Sequence, residues 1–102
     1  YGVGDKNKRG EHAHHTTKQI LVCLSGACEV ICKDGESERR IVLNSPSQAV
    51  LIPEMIWDEQ IYASPETILL VFSSTKYNRN DYIEDWQQYK RLRIKSENNK
   101  NR

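Results

Sequence analysis

No stretch of this chain approaches the roughly 20 consecutive apolar residues that a membrane-spanning helix needs. Its first residues also lack the charged, apolar and small-residue order of a secretory leader. Neither sign of charge dominates: 15 Lys and Arg stand against 14 Asp and Glu, so no global field draws the chain to nucleic acid or to a membrane surface. The basic residues that gather late in the chain, from Lys90 and Arg91 to Lys100 and Arg102, read as a cationic helix end followed by a frayed tail. Cysteine is scarce and odd in number, at Cys23, Cys28 and Cys32. No disulfide framework is expected; the thiols read as reduced and buried in a cytoplasmic protein. No internal repeat is present.

What the chain does have is a succession of short β-patterned segments. The 102 residues suffice for one domain with a modest core, placed at residues 1–95. The first eleven residues, polar and glycine-rich, read as a strand end and an exposed loop that closes on His12. Strands are expected over Lys18 to Leu24, Ala27 to Lys33, Glu38 to Leu43, Ala49 to Ile52, Met55 to Tyr62 and Ile68 to Ser73, because each is rich in β-formers and bounded by turn residues. Asp34-Gly35 is the clearest hairpin signal, and Pro53 breaks its strand as it does at edges and bulges. Close spacing of this kind predicts an antiparallel all-β sandwich or barrel. Only the end is helical: Asp81 and Glu84 make a capping pair, and Tyr82, Trp86 and Tyr89 fall on one stripe. From Ser96 the tail has no apolar residue and is expected to be disordered. The chain begins at Tyr1 rather than Met, which leads us to expect a further N-terminal piece.

All three histidines lie in Arg9-Gly10-Glu11-His12-Ala13-His14-His15. In a strand, side chains alternate in direction, so His12 and His14 point the same way, roughly 6–7 Å apart, and His15 points away. Two imidazoles facing one cavity serve either as metal ligands or as an acid/base pair. Trp57 is expected to pack between sheets or at a dimer interface, Glu59 to lie on the surface, and Tyr77 and Tyr82 to dock the helix.

The segment Gly10-x-His12-x-His14, with Gln19 and Gly26 downstream, resembles the first cupin motif, and Pro53-x-Met55-x-x-Asp58 falls where the second belongs. More narrowly, five ordered pieces resemble the dTDP-4-keto-6-deoxyglucose 3,4-ketoisomerases, the WxcM-like sugar isomerases of bacterial surface-polysaccharide pathways. These pieces are Arg9-Gly10-x-His12-Ala13-His14, Gln19-x-Leu21-x-Cys23-Leu24-x-Gly26, Leu43-Asn44-Ser45-Pro46, Ile52-Pro53-x-Met55-Ile56-Trp57 and Asp81-Tyr82-Ile83-x-Asp85. Two departures stand out. The family carries an N-terminal strand segment ahead of this region, and it places His where this chain has Asp58.

The resemblance implies a cupin jelly-roll β-barrel with a C-terminal α-helix, assembled as a homodimer, acting on a dTDP-keto-sugar without metal or other cofactor. It implies that His14 removes the C3 proton next to the C4 ketone and that His12 shuttles the proton between oxygens, or the reverse. Arg9 would hold the diphosphate or sugar, Gln19 would form a hydrogen-bonding wall, and Asp58 would orient an imidazole. Two alternatives remain open. In a metal-dependent cupin, His12, His14 and Asp58 would make a two-histidine, one-carboxylate set, although Gln19 is a poor ligand. In a non-catalytic module, the same cavity would bind a sugar nucleotide without turning it over.

Overall fold

In the computed structural model, residues 8–100 are described; the expected features over the first seven residues and at the last two lie outside them. Among the described residues eight strands, one short 3-10 helix and one α-helix follow in order: β1 (Lys8–His14), β2 (Gln19–Ser25), β3 (Cys28–Lys33), β4 (Glu38–Leu43), β5 (Val50–Ile52), β6 (Trp57–Tyr62), β7 (Ile68–Ser73), the 3-10 helix (Arg79–Asp81), β8 (Tyr82–Ile83) and α1 (Trp86–Lys100). A five-stranded sheet runs β4-β3-β6-β1-β8 and a three-stranded sheet runs β5-β2-β7, with every pairing antiparallel. The all-β fold with a C-terminal helix is therefore as expected. The barrel is not closed, however. β4 ends one sheet and β5 ends the other, and no ladder joins them.

The inward sides of both sheets supply one core. Leu21 and Cys23 of β2 meet Val50 and Ile52 of β5, Cys28 and Val30 of β3, Leu43 of β4 and Tyr62 of β6. Burial in β2 alternates through Gln19, Leu21 and Cys23, the period that a two-faced strand requires. The three cysteines are free thiols, with Cys23 and Cys28 in this core. The Asp34-Gly35 hairpin forms as expected. Asp34 Oδ1 accepts the Glu36 and Ser37 amides at 2.9 and 2.8 Å, and Gly35 takes the φ of 102° that favours glycine.

Four local expectations are corrected. Arg9 to Glu11 belong to a strand rather than a loop, because β1 pairs with β6 from Lys8 onward. Met55 precedes β6 as a turn residue with φ 62°. The helix begins at Trp86, not near Asp81: Asp85 Oδ1 accepts the Gln87 amide at 3.0 Å and acts as its N-cap. Asp81 is instead drawn into the β1–β2 loop, where it accepts from the backbone amides and hydroxyls of Thr16 and Thr17. Tyr82 and Ile83 are left extended and pair with His14 and Ala13. At its other end α1 runs to Lys100.

The helix covers the outer side of the five-stranded sheet. Ala13, Trp57, Ile83 and Tyr89 form a second buried cluster with Met55, Trp86 and Leu92 against it. Trp57 meets Trp86 edge-on at 5.2 Å and Tyr89 at 5.6 Å, each pair adding about 0.5–1.5 kcal/mol beyond its buried area. Trp57 thus packs under the helix rather than between the sheets. Glu59, expected on the surface, is buried beside it and satisfied by Lys8, Lys33 and the Trp57 indole N–H. Among the described residues no helix is long and apolar enough to cross a membrane.

Candidate active site

The geometry of β1 decides which of its side chains reach the interior. Lys8, Arg9 and Gly10 oppose Ile61, Gln60 and Glu59, but the register slips between Gly10 and His12, after which His12 opposes Asp58. Glu11 is the extra residue, with φ 56°, next to Gly10 at φ 83°. This bulge inverts the alternation. Arg9 and His12, three residues apart, would otherwise face opposite ways, yet both share the inward face with Gln60 and Asp58. Gly10 is required here. A Cβ on it would come within 3.0 Å of the Asp58 carbonyl and 3.2 Å of Gln60 Nε2.

The bulge also turns the Gly10 carbonyl onto the His12 ring, with Nδ1 at 3.0 Å. A carbonyl only accepts, so Nδ1 carries the proton and Nε2 is the basic nitrogen of neutral His12. That Nε2 is buried and has no partner among the described residues; the same holds for His14 Nε2 and Asp58 Oδ1. His12 Nε2 lies 4.0 Å from Asp58 Oδ1, too far for a direct hydrogen bond. Asp58 Oδ2 accepts from Gln60 Nε2. Burial raises the Asp58 carboxyl above its usual range against the opposing influence of His12 and Gln60.

The His12 and His14 rings meet edge-on with centroids 4.9 Å apart. Tyr82, expected to dock the helix, instead packs on both, at 4.4 Å from His14 and 5.0 Å from His12. Burial lowers the His14 pKa, and the neighbouring His12 lowers it further while Asp81 opposes, so His14 is neutral at pH 7 and able to accept a proton. Its backbone is pinned as well: Met55 N–H donates to the His14 carbonyl at 2.7 Å and His15 N–H to Asp81 at 2.8 Å. Tyr89 Oη reaches the Met55 and Lys33 carbonyls at 2.8 and 3.0 Å, which ties the helix to this turn.

The structure therefore brings His12, His14 and Asp58 together, with exposed Arg9 on the same sheet face. Gln19 sits apart on β2, buried on the inward side, where its amide donates to Ser73 Oγ at 3.1 Å. His15 is exposed, as alternation predicts. Among the described residues no three His, Cys, Asp or Glu side chains converge as a metal-binding group. Tyr82 and Gln60 are the neighbours that pattern reasoning missed. No local signal marks Tyr82, whereas Gln60 sits two residues from Asp58 on one strand and so shares its face.

Two facing, unclosed antiparallel sheets with polar groups on the inner face of one define a cupin-like jelly roll. Comparison with known proteins narrows this further. The chain belongs to the family described as FdtA: WxcM-like, C-terminal, whose model matches residues 1–94. It is 36% identical over 83 residues to the TDP-4-oxo-6-deoxy-alpha-D-glucose-3,4-oxoisomerase of Aneurinibacillus thermoaerophilus, a match covering 81% of this chain and 60% of that protein. The chain thus spans less than two thirds of that relative's length. Among solved structures it is similar to the TDP-fucose-3,4-ketoisomerase WlaRA of Campylobacter jejuni, at 35% identity and TM-score 0.83, over 91% of this chain and 69% of the other. The sugar 3,4-ketoisomerase QdtA of Thermoanaerobacterium thermosaccharolyticum, solved with TDP, is 33% identical with TM-score 0.85, over 92% and 69%.

Proposed function

We propose that this chain is a sugar-nucleotide 3,4-ketoisomerase that converts dTDP-4-keto-6-deoxyglucose to a dTDP-3-keto-6-deoxyhexose through an enediol, by histidine acid/base catalysis. The observation that carries the reading is the pair of buried, unpartnered imidazole Nε2 atoms on adjacent rings beside an unpartnered carboxylate oxygen. Uncommitted polar atoms in a buried site are costly unless a ligand completes them. The 3,4-ketoisomerase activity of the relatives supports the reaction class.

The chemistry divides between the two rings. The C4 ketone acidifies the C3 proton, and His14, neutral because it is buried, takes that proton. The C3–H electron pair becomes the C3–C4 double bond and the carbonyl electrons move to O4. His12, whose Nε2 is the free basic nitrogen, receives the O3 proton and returns it to O4. His14 then gives a proton to C4 as the C3 oxygen collapses to a ketone, which returns both histidines to their starting forms with no net gain or loss of electrons. Histidine is the side chain whose ordinary range suits such transfers. Arg9 and Gln19 contact the substrate in this reading, and Asp58 stabilises the cationic form of His12. The homodimer draws support from the outer side of the three-stranded sheet, where Ile20, Leu24, Leu51, Leu70 and Phe72 are exposed.

The test is deuterium incorporation at C3 of the keto sugar in heavy water, with formation of the 3-keto product followed in parallel. We expect His14→Asn to abolish the C3 exchange and His12→Asn to slow isomerisation by about 100-fold or more. Exchange that persists at the unmodified rate in both variants would defeat the assignment, and binding of substrate without any exchange would leave a sugar-nucleotide-binding module.

A further inference from the structure

The β1–β2 loop and the segment ahead of β8 are knotted together at one carboxylate. Asp81 is buried and accepts four hydrogen bonds. Its Oδ1 takes the Thr16 amide and hydroxyl at 2.9 and 2.8 Å, and its Oδ2 takes the Thr17 amide at 3.1 Å and the Thr17 hydroxyl. The Thr17 hydroxyl gives its one proton to the carboxylate, so Thr75 donates to Thr17 at 2.7 Å. The backbone repeats the tie, because His15 N–H donates to the Asp81 carbonyl at 2.8 Å. On the far side, Asn78 accepts the Asp81 amide on its carbonyl and the Asn80 amide on its side chain, both at 3.0 Å, which fixes the 3-10 helix that Asp81 ends.

The knot governs how two rings of the site stand to each other. His14 closes β1 just ahead of the threonines, Tyr82 opens β8 just after Asp81, and the two oppose each other across the β1–β8 ladder. Their centroids lie 4.4 Å apart, closer than the 4.9 Å between the two histidines. β8 is an edge strand of two residues, and so short a ladder holds a ring in place weakly by itself. The carboxylate supplies what the ladder lacks. It also carries charge: burial alone would raise the Asp81 carboxyl, but the Thr17 and Thr16 hydroxyls and amides hold it below its usual range, so it is ionised wherever a histidine titrates. The titratable groups around His14 are His12 on its own strand, Tyr82 on β8 and Asp81, while Asp58 of β6 faces His12. Burial and His12 disfavour a proton on His14, and Asp81 opposes them.

We propose that Asp81 is a positioning residue for the base of the isomerisation: its carboxylate locks the β1–β2 loop to the start of β8, sets His14 against Tyr82, and stands as the negative charge that offsets the burial of the ring. That His14 serves as a base rests on the proposed 3,4-ketoisomerase activity; the place of the carboxylate does not. Asp81 touches no reacting atom in this scheme and acts only through His14 and Tyr82. Without its charge the buried ring is a weaker base and takes the C3 proton more slowly.

The test follows the His14 ring by nitrogen-15 shifts against pH in the whole chain without substrate, its signals identified by their loss in His14→Asn. Asp81→Asn removes the charge and keeps an acceptor for the threonines. In it His14 is expected to titrate at lower pH than in the unaltered chain, and kcat to fall by about 10- to 100-fold while KM stays within about twofold. Glu84→Gln, which removes an exposed carboxylate two residues beyond Tyr82, leaves the His14 titration in place. A merely structural Asp81 gives the opposite sign, because a loosened knot admits water to the ring and moves its titration upward. An unmoved or raised His14 titration in folded Asp81→Asn overturns the proposal, as does an unchanged kcat. Thr17→Val loosens the same knot with the charge kept and serves where Asp81→Asn does not fold. There kcat is expected to fall by about 10-fold with KM held, and an undiminished kcat overturns the proposal. Absence of C3 exchange in the unaltered chain removes the isomerase reading alone; the titration, read without substrate, still decides whether Asp81 acts on His14.

Discussion

His12 Nε2 and Asp58 Oδ1 face each other at 4.0 Å, both buried and neither satisfied. They come from β1 and β6, which are distant in the chain and opposed in register. Because Nδ1 is committed to the Gly10 carbonyl, any proton that His12 gains or gives passes through the side facing the carboxylate.

The first consequence concerns Asp58 itself. Asp58→Asn removes a charge that burial disfavours and retains the shape that Gln60 holds. We expect thermal stability to be unchanged or slightly raised, while isomerisation falls by about 100-fold, the low end for acid/base groups. Loss of both stability and activity together would show that Asp58 acts structurally.

His14 predicts a pH dependence. Its folded pKa lies below the ordinary histidine value because of burial, so the unfolded chain binds the proton first as pH falls. Stability is therefore complete above about pH 6.5 and declines as pH drops through the interval below it. Denaturant titrations at successive pH values should show this slope, and His14→Asn should flatten it. The activity limb governed by this base should likewise fall at a pH lower than that of an exposed histidine. Tyr82→Ala, by admitting water to the ring it covers, should move that limb upward.

Glu59 makes the opposite linkage. Burial disfavours its charge, but the bonds from Lys8, Lys33 and Trp57 outweigh that and hold its pKa below the usual 4.5. Its contribution is present above that value and lost as pH falls through the lowered folded pKa. Glu59→Gln should cost about 1–2 kcal/mol at pH 7, since its lysine partners can turn to water, and should cost little at pH 3. Urea midpoints at the two pH values measure the difference.

Gly10→Ala tests the bulge. A side chain at φ 83° is strained, and its Cβ would sit 3.0 Å from the Asp58 carbonyl. A loss of about 1–3 kcal/mol is expected, with a larger fall in isomerisation than in stability, because the carbonyl that sets the His12 tautomer moves with it. The Nδ1 and Nε2 shifts of His12 in nitrogen-15 spectra report the tautomer directly.

The amino-acid sequence by itself determined whatever depends on local pattern. The alternation through Gln19, Leu21 and Cys23, the Asp34-Gly35 hairpin and the shared face of His12 and His14 follow from a period of two and from turn chemistry. The same local reasoning put Tyr82 and Ile83 in a helix, because a stripe of aromatics and a capping pair satisfy helical spacing whether or not a strand stands ready to pair with them. Only the tertiary structure decided what each face meets. The bulge at Glu11 brought Arg9 to the side of His12, the helix laid over Trp57 buried Glu59, and the register of β1, β6, β3 and β4 aligned His12 with Asp58, Cys32 and Arg39. Those outcomes rest on contacts between residues far apart in the chain, whose pairing a local period leaves open. The histidine pair was legible because both members lie on one strand; its partners were not, because each comes from another.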